Sequence, residues 1–213
     1  LKRVHNREVD ILIGTQMIAK GHHFPHVPLV GVVWADAGLG IPDFRAGERT
    51  FQILSQVSGR AGRGDKPGLV IIQSHNPDHY SISTARLHDY RSLFDREIEL
   101  RRALQFPPFA RLINIRIEGE QEKQVKKCAL ALAERARHMT KTHNAVTVLG
   151  PAPAPLAKLH GRYRWQLLLK SSNLGTLHVF PSALLDGHNK SSPASAIKLS
   201  LDVDPENMLY MSA

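Results

Sequence analysis

The sequence predicts a two-part chain, an α/β unit with a parallel sheet and crossover helix followed by an α+β unit built as a split βαβ. Short β-branched runs at Val9–Ile13, Leu29–Trp34 and Leu69–Gln73 are bounded by glycine, proline or charge, as strands buried on both faces of a parallel sheet require. Between the second and third runs, Arg45–Gly59 carries Phe51, Leu54 and Val57 at helical spacing and no proline, which makes it the crossover helix. After the double proline at Pro107 and Pro108 the pattern changes to strand, helix, two strands, helix and strand.

Each element has its own signal. A long helix is expected from Ser81 to Leu104, with Leu87, Phe94, Ile98 and Leu100 on its apolar side; Pro107 and Pro108 stop it. The domain boundary falls there, giving units 1–108 and 109–213. In the second unit, Arg111–Ile117 alternates apolar and polar residues and reads as a half-buried strand, and Glu120–Met139 as a helix with an Ala/Leu face. Val146–Leu149 is a strand that runs into the series Pro151, Pro153, Pro155. Tyr163–Lys170 is a strong strand, Leu174–Leu185 a weak helix, and Ile197–Val203 the last strand. Asn189–Ser195 is polar and aperiodic, so it is left irregular.

Composition narrows the class. With 213 residues and 42% hydrophobic content, the chain is large enough for a buried core in one large or two small units, which excludes disorder as the default. Twenty-eight Lys and Arg against nineteen Asp and Glu leave a formal charge of +9, which favours a polyanionic partner. The single cysteine, Cys128, excludes an internal disulfide framework and a cysteine zinc module, and fits a reducing, cytoplasmic compartment. The longest apolar stretch, Val27–Ala35, is about half the ~20 residues of a membrane span, so no membrane role is expected. Leu1 is not Met, and Val9–Ile13 already reads as a buried strand; a piece of a longer protein is expected.

The richest stretch is Gln56-Val57-Ser58-Gly59-Arg60-Ala61-Gly62-Arg63, directly after the crossover helix. Arg60 and Arg63, flanked by Gly59, Gly62 and Gly64, present forked cations from a backbone that a partner can approach closely, which suits phosphate oxygens. From the string alone, a basic turn that faces solvent or caps the helix is equally good. Upstream, Thr15 and Gln16 follow the first strand, at the carboxyl edge where ligands bind in open α/β sheets. Lys20 and Gly21 would let a cation and bare backbone approach a nucleic-acid strand; the alternative is an ordinary strand-to-helix turn.

Together, Thr15–Gly21 and Gln56–Arg63 resemble motifs V and VI of superfamily 2 helicases. The intervening ADAG at Ala35–Gly38 and PDFRAGERTFQ at Pro42–Gln52, with LQFPPF at Leu104–Phe109 and LDVDP at Leu201–Pro205, are similar to the replication-restart branch of that family along nearly the whole chain. The resemblance implies the second half of a RecA-like lobe followed by a ferredoxin-like C-terminal domain, from an ATP-dependent 3′-to-5′ DNA helicase that acts in replication restart and primosome assembly. It implies that Arg60 and Arg63 contact ATP phosphates, with Arg63 the stronger finger candidate, and that Gln56 senses nucleotide. Gly59 and Gly62 would shape that turn, while Thr15, Gln16, Lys20 and Gly21 contact the DNA backbone. His23 stands where many relatives carry an acidic residue, so no ribose contact is assigned there.

The chain has no GxxxxGK[ST] loop and no DExH segment, so alone it should not hydrolyse ATP. ATP with Mg2+ would be completed by other protein, and the family's zinc would sit in a cysteine module that one Cys cannot build. The implied partners are branched or single-stranded DNA, single-strand-binding protein and other primosome proteins. His22, His23 and His26 lack the partners of a tetrahedral site, so no metal site is expected. Asp43, Arg45, Glu48 and Arg49 read as a capping, ion-paired turn that, by the resemblance, supports motif VI. Around Gly161, Lys158, His160, Arg162 and Arg164 combine with Tyr163 and Trp165. Strand alternation would put the two rings in the core and leave Arg162 and Arg164 exposed for DNA phosphates. The cations from Lys123 to Lys141 read as a solvated helix face. The competing class is a non-enzymatic nucleic-acid-binding module.

Overall fold

The computed structural model describes residues 2–6, 8–15, 27–59, 61, 68–141, 145–186 and 197–208. The chain divides into two compact units, Leu1–Glu99 and Leu100–Ala213. The division lies ahead of the double proline because the last turn of the preceding helix is tied to the second unit. There, Lys170 Nζ donates to Leu104 O at 2.8 Å and Arg102 lies 5.1 Å from the Phe109 ring centre.

In the first unit a short helix α1 (Lys2–His5) precedes β1 (Leu29–Val32), α2 (Ala46–Ser58), β2 (Leu69–Ile72), α3 (Tyr80–Arg86) and α4 (Tyr90–Leu104). β1 and β2 pair in parallel, Leu29 opposite Leu69 through Val32 opposite Ile72, and α2 is the crossover between them. Phe51 and Leu54 of α2 meet Ile82, Ala85 and Leu93 in one core, with Val32 and Ile72 packed against it. Alternation turns Leu29, Leu69 and Ile71 outward, each more than half exposed. The expected two-sided burial is therefore corrected, since among the described residues helices cover only one face. Val9–Ile13 is also corrected: it forms no strand, and Ile11 and Ile13 are 76% and 89% exposed. β-branched residues favour extended backbone, but a strand needs a neighbour to pair with.

The long helix expected from Ser81 breaks into α3 and α4. His88 takes a left-handed φ of 53°, Asp89 N donates to Thr84 O at 2.9 Å, and the Asp89 carboxylate accepts from Ser92 N at 3.0 Å. That side-chain bond starts a new helix and rotates the register. Leu87 and Phe94, expected in the core, are 68% and 42% exposed, while Leu93 and Glu97 are buried.

His79 caps α3 by accepting from Ser81 N through Nδ1 at 3.3 Å. Burial pushes its pKa below the usual 6.5, against smaller opposite pulls from Asp36 and Glu97. Protonation removes the acceptor, so the cap's contribution is complete above pH 6.5 and is lost as pH falls through the lowered folded-state value. Urea midpoints at pH 7.5 and about 5.5 should fall more for the native chain than for His79→Asn, which caps without titrating.

The second unit contains β3 (Arg111–Gly119), α5 (Glu122–Thr140), β4 (Thr147–Leu159), β5 (Arg162–Ser171), α6 (Leu174–Leu185) and β6 (Ile197–Val203). The sheet runs β4-β5-β3-β6 with every neighbouring pair antiparallel, which is the ferredoxin-like arrangement. Ile113, Ile115, Ile117, Leu167 and Leu169 face α5 and α6, where Ala129, Ala133 and Ala136 allow close approach. The proline series lies within β4 rather than after it. β4 is an edge strand with register shifts between Leu149 and Ala152 and between Pro153 and Lys158, and an edge position tolerates residues that cannot donate to the ladder.

Candidate nucleotide and nucleic-acid site

α2 is the element that delivers the glycine-arginine turn, and its start is pinned by Asp43. The Asp43 carboxylate, 1% exposed, accepts from Arg49 Nη1 at 2.6 Å and from Arg45 N at 2.9 Å. Arg45 also lies 4.2 Å from the Phe44 ring centre. The charged turn is thus an ion pair plus a side-chain bond to the Arg45 amide just ahead of α2; the expected side-chain cap is corrected, since the N-cap residue is Arg45 and makes no side-chain cap bond. Asp43→Ala is expected to lower stability by about 2–3 kcal/mol, the scale of charged hydrogen bonds. Chemical denaturation should place Asp43→Asn, which keeps an acceptor for the Arg45 amide, between the two.

Behind that turn, Tyr80 Oη donates to buried Glu97 Oε1 at 2.9 Å. Both groups close over Gly47, where a Cβ would sit 2.5 Å from Tyr80 Oη and 2.7 Å from Glu97 Oε1. At the other end of α2, Gln56 is exposed and Gly59 follows the last turn, its N–H donating to Ser55 O at 3.1 Å. Gly59 has φ −71°, a conformation open to any residue, and a Cβ there would meet only ordinary contacts, Ser55 O at 3.5 Å and Gln56 O at 3.7 Å. Arg60, Gly62 and Arg63 lie outside the described residues, as do Gln16, Lys20, Gly21 and the histidines at 22, 23 and 26. Thr15 is exposed at the end of the unpaired segment 8–15.

The carboxyl edge of the parallel pair is held by Asp36, a residue that none of the sequence motifs singles out for this role. Its carboxylate accepts from Ser74 Oγ at 2.8 Å, His75 N at 2.8 Å and Asn76 N at 3.2 Å. The backbone continues the stitching, with Ala35 N donating to Gln73 O at 3.0 Å. The His75 amide, more than any other group, holds the Asp36 carboxyl below the usual carboxylate range. An acidic residue just past a β-branched run was the available signal.

In the second unit, the expectation that Arg162 and Arg164 are both exposed is corrected. Arg164 is 5% exposed and its Nε donates to Glu118 Oε1 at 2.9 Å. It is therefore committed to the interior of the sheet's helix-free face, together with Asn114 and Arg116 at 0% and 2% exposure. Those two residues, read from alternation as solvent-facing, are buried as well. The Arg162 side chain is 36% exposed, lies 3.9 Å from the Glu120 carboxylate and donates from Nη2 to Glu118 O at 3.5 Å. Tyr163 and Trp165 pack at the border of the helix-side core, and Lys158 lies 4.6 Å from the Tyr163 ring centre. Cys128 is buried in that core, and burial raises its thiol pKa. Among the described residues no helix is long and apolar enough to cross a membrane.

The bounds of the second unit, Leu100–Ala213, take in those of a family match. Residues 102–206 match the family described as primosomal protein N C-terminal domain. Over almost its whole length the chain is similar to replication restart protein PriA. It is 41% identical to the protein of Bacillus subtilis (strain 168) over 204 residues, covering 95% of this chain and 25% of that one. It is 40% identical to the Synechocystis protein over 205 residues, with coverages of 96% and 24%. With the Haemophilus influenzae protein it shares 39% over 209 residues, 98% of this chain and 28% of that one. The chain thus spans about a quarter of the length of these relatives.

Proposed function

We propose that this chain is the carboxy-terminal part of an ATP-dependent 3′-to-5′ DNA helicase of replication restart and primosome assembly, with Thr15–Gly21 and Gln56–Arg63 as motifs V and VI. The carrying observation is identity near 40% with replication restart proteins across 95–98% of the chain, which takes in the first unit as well as the C-terminal family domain. The first unit is then part of a RecA-like lobe. α2, pinned at Asp43 and Gly47, aims the turn after Gly59 at a nucleotide that the rest of the protein holds. Arg60 and Arg63 stabilise charge on the terminal phosphate and Gln56 senses the bound state. Thr15, Gln16, Lys20 and Gly21 grip the DNA backbone, so closure of the two lobes couples phosphate chemistry to strand movement. No residue of this chain is assigned to Mg2+ or zinc. Branched or single-stranded DNA, single-strand-binding protein and primosome proteins are the partners, in the cytoplasm.

The test compares the full-length protein with this chain alone. The full-length protein should hydrolyse ATP in a DNA-dependent way and unwind forks with 3′-to-5′ polarity, while this chain alone binds DNA without turnover. A full-length protein without DNA-stimulated turnover would leave the non-enzymatic binding module as the function.

A further inference from the structure

The inner stripe of α2 is Gly47, Thr50, Phe51 and Leu54, positions that recur at helical spacing. Its second half is ordinary core, with Phe51 and Leu54 among Ile82, Ala85 and Leu93. The first half breaks three local rules at once. Glycine weakens a helix relative to alanine, a buried carboxylate loses solvation, and buried hydroxyls normally find partners. Yet Gly47 stands in the first turn of α2, and Glu97 is one of the two buried residues of α4. Ser81 Oγ and Thr50 Oγ1 are buried without a hydrogen-bond partner among the described residues. Broken rules gathered in one place mark a functional demand more than a stability one.

The contact over Gly47 is built from fixed parts. His79 caps α3 and stacks on the Tyr80 ring, with centroids 4.5 Å apart, so the first residue of α3 is held in place. Tyr80 Oη donates to Glu97 Oε1 at 2.9 Å. Leu93, one turn before Glu97 on the same face of α4, is anchored in the apolar core with α2. A Cβ on Gly47 would lie 2.5 Å from Tyr80 Oη, 2.7 Å from Glu97 Oε1 and 2.9 Å from Ser81 Oγ. Three polar groups from two helices thus converge on one Cα of α2, and they set how deep that helix sits. Because α2 runs directly into Gly59, its depth and rotation also set where the following turn begins.

We propose that Tyr80 and Glu97 are positioning residues for phosphoryl transfer: their contact over Gly47 seats α2, and α2 places the turn that carries Arg60 and Arg63. The role rests on the proposed motor function and adds to it two residues that need touch neither nucleotide nor DNA.

The experiment is steady-state DNA-stimulated ATP hydrolysis by the full-length protein, well below the melting midpoint of each variant, with KM for ATP and DNA affinity measured in parallel. Gly47→Ala drives a methyl group against three side chains, the nearest at 2.5 Å where ordinary contact begins near 3.4 Å. A displacement near 1 Å costs about 10²-fold in rate, so kcat is expected to fall by roughly 10- to 10²-fold. KM for ATP and DNA affinity should hold, because a contact made in the transition state is lost from kcat and not from ground-state binding. Glu97→Ala should lower kcat in the same way, and Glu97→Gln, which keeps an acceptor for Tyr80, should recover most of that loss. Native kcat in both Gly47→Ala and Glu97→Ala would overturn the proposal and leave the contact as packing, with the motor function standing. A rise in KM for ATP or a loss of DNA affinity equal to the loss of kcat would overturn it as well. A native protein without DNA-stimulated turnover would overturn the motor function and this role together. Tyr80→Phe removes a single oxygen and decides the matter if Gly47→Ala fails to fold, since its kcat should fall at constant KM and an unchanged kcat would count against the role.

Discussion

Glu118→Gln should destabilise the second unit by about 3–5 kcal/mol, the scale for stripping one partner from a buried ion pair. Glu118 and Arg164 have side chains 18% and 5% exposed, with Nε and Oε1 2.9 Å apart. The Arg116 guanidinium beside them is 2% exposed. Burial pulls the Arg116 pKa down and the neighbouring Arg164 charge pulls it further, while Glu118 and Asp202 oppose both. Removing the Glu118 charge therefore leaves two buried guanidiniums facing each other with one fewer counter-charge. Thermal unfolding should show a drop of more than about 10 °C for a unit of this size. Adding Arg164→Met to Glu118→Met should recover much of the loss, because an apolar pair of similar volume leaves no uncompensated charge. A loss below about 1 kcal/mol in Glu118→Gln would mean that water reaches the pair.

The second large effect concerns turnover. In the full-length protein, Arg63→Ala should lower DNA-stimulated ATP hydrolysis by about 10³ or more, as removal of an arginine finger does elsewhere. DNA affinity should change little, since the proposed DNA contacts lie near Thr15–Gly21 and at Arg162. Steady-state ATPase assays with a parallel binding titration separate the two. Near-native turnover in Arg63→Ala would remove the finger role and leave the turn after α2 as a phosphate-gripping loop. Arg63→Lys should rescue little, because an ammonium cannot make the forked contact.

Local signals carried much of the architecture. The crossover helix was legible because Phe51 and Leu54 recur at helical spacing, and both are buried. Leu174–Leu185 read only as a weak helix, and the structure shows what starts it, Asn173 Oδ1 accepting from Thr176 N at 3.1 Å; Ile197–Val203 was legible because its apolar residues alternate. The break at His88 was hidden because Leu87 and Phe94 continue the apolar rhythm, and only Asp89, bonding ahead to Ser92, restarts the helix. The proline series misled for a different reason. Three prolines argue against a central strand, yet β4 lies at an edge, and edge position is a property of the whole sheet.

The site divides in the same way. That Gln56–Arg63 follows a helix and that Thr15–Gly21 follows a β-branched run are matters of chain order, so the sequence by itself determined those two positions, along with net charge and the absence of a phosphate loop from these residues. Tertiary structure alone decided that Arg164 is consumed by Glu118 while Arg162 is not, although they sit two positions apart on one strand face. It also decided that Asp36 ties the ends of β1 and β2, and that Asp43 reaches Arg49. The physical reason is common to all of these: the state of a charge depends on which opposite charge or amide the fold brings within about 3 Å and on how much water remains, and neither quantity is local in the chain.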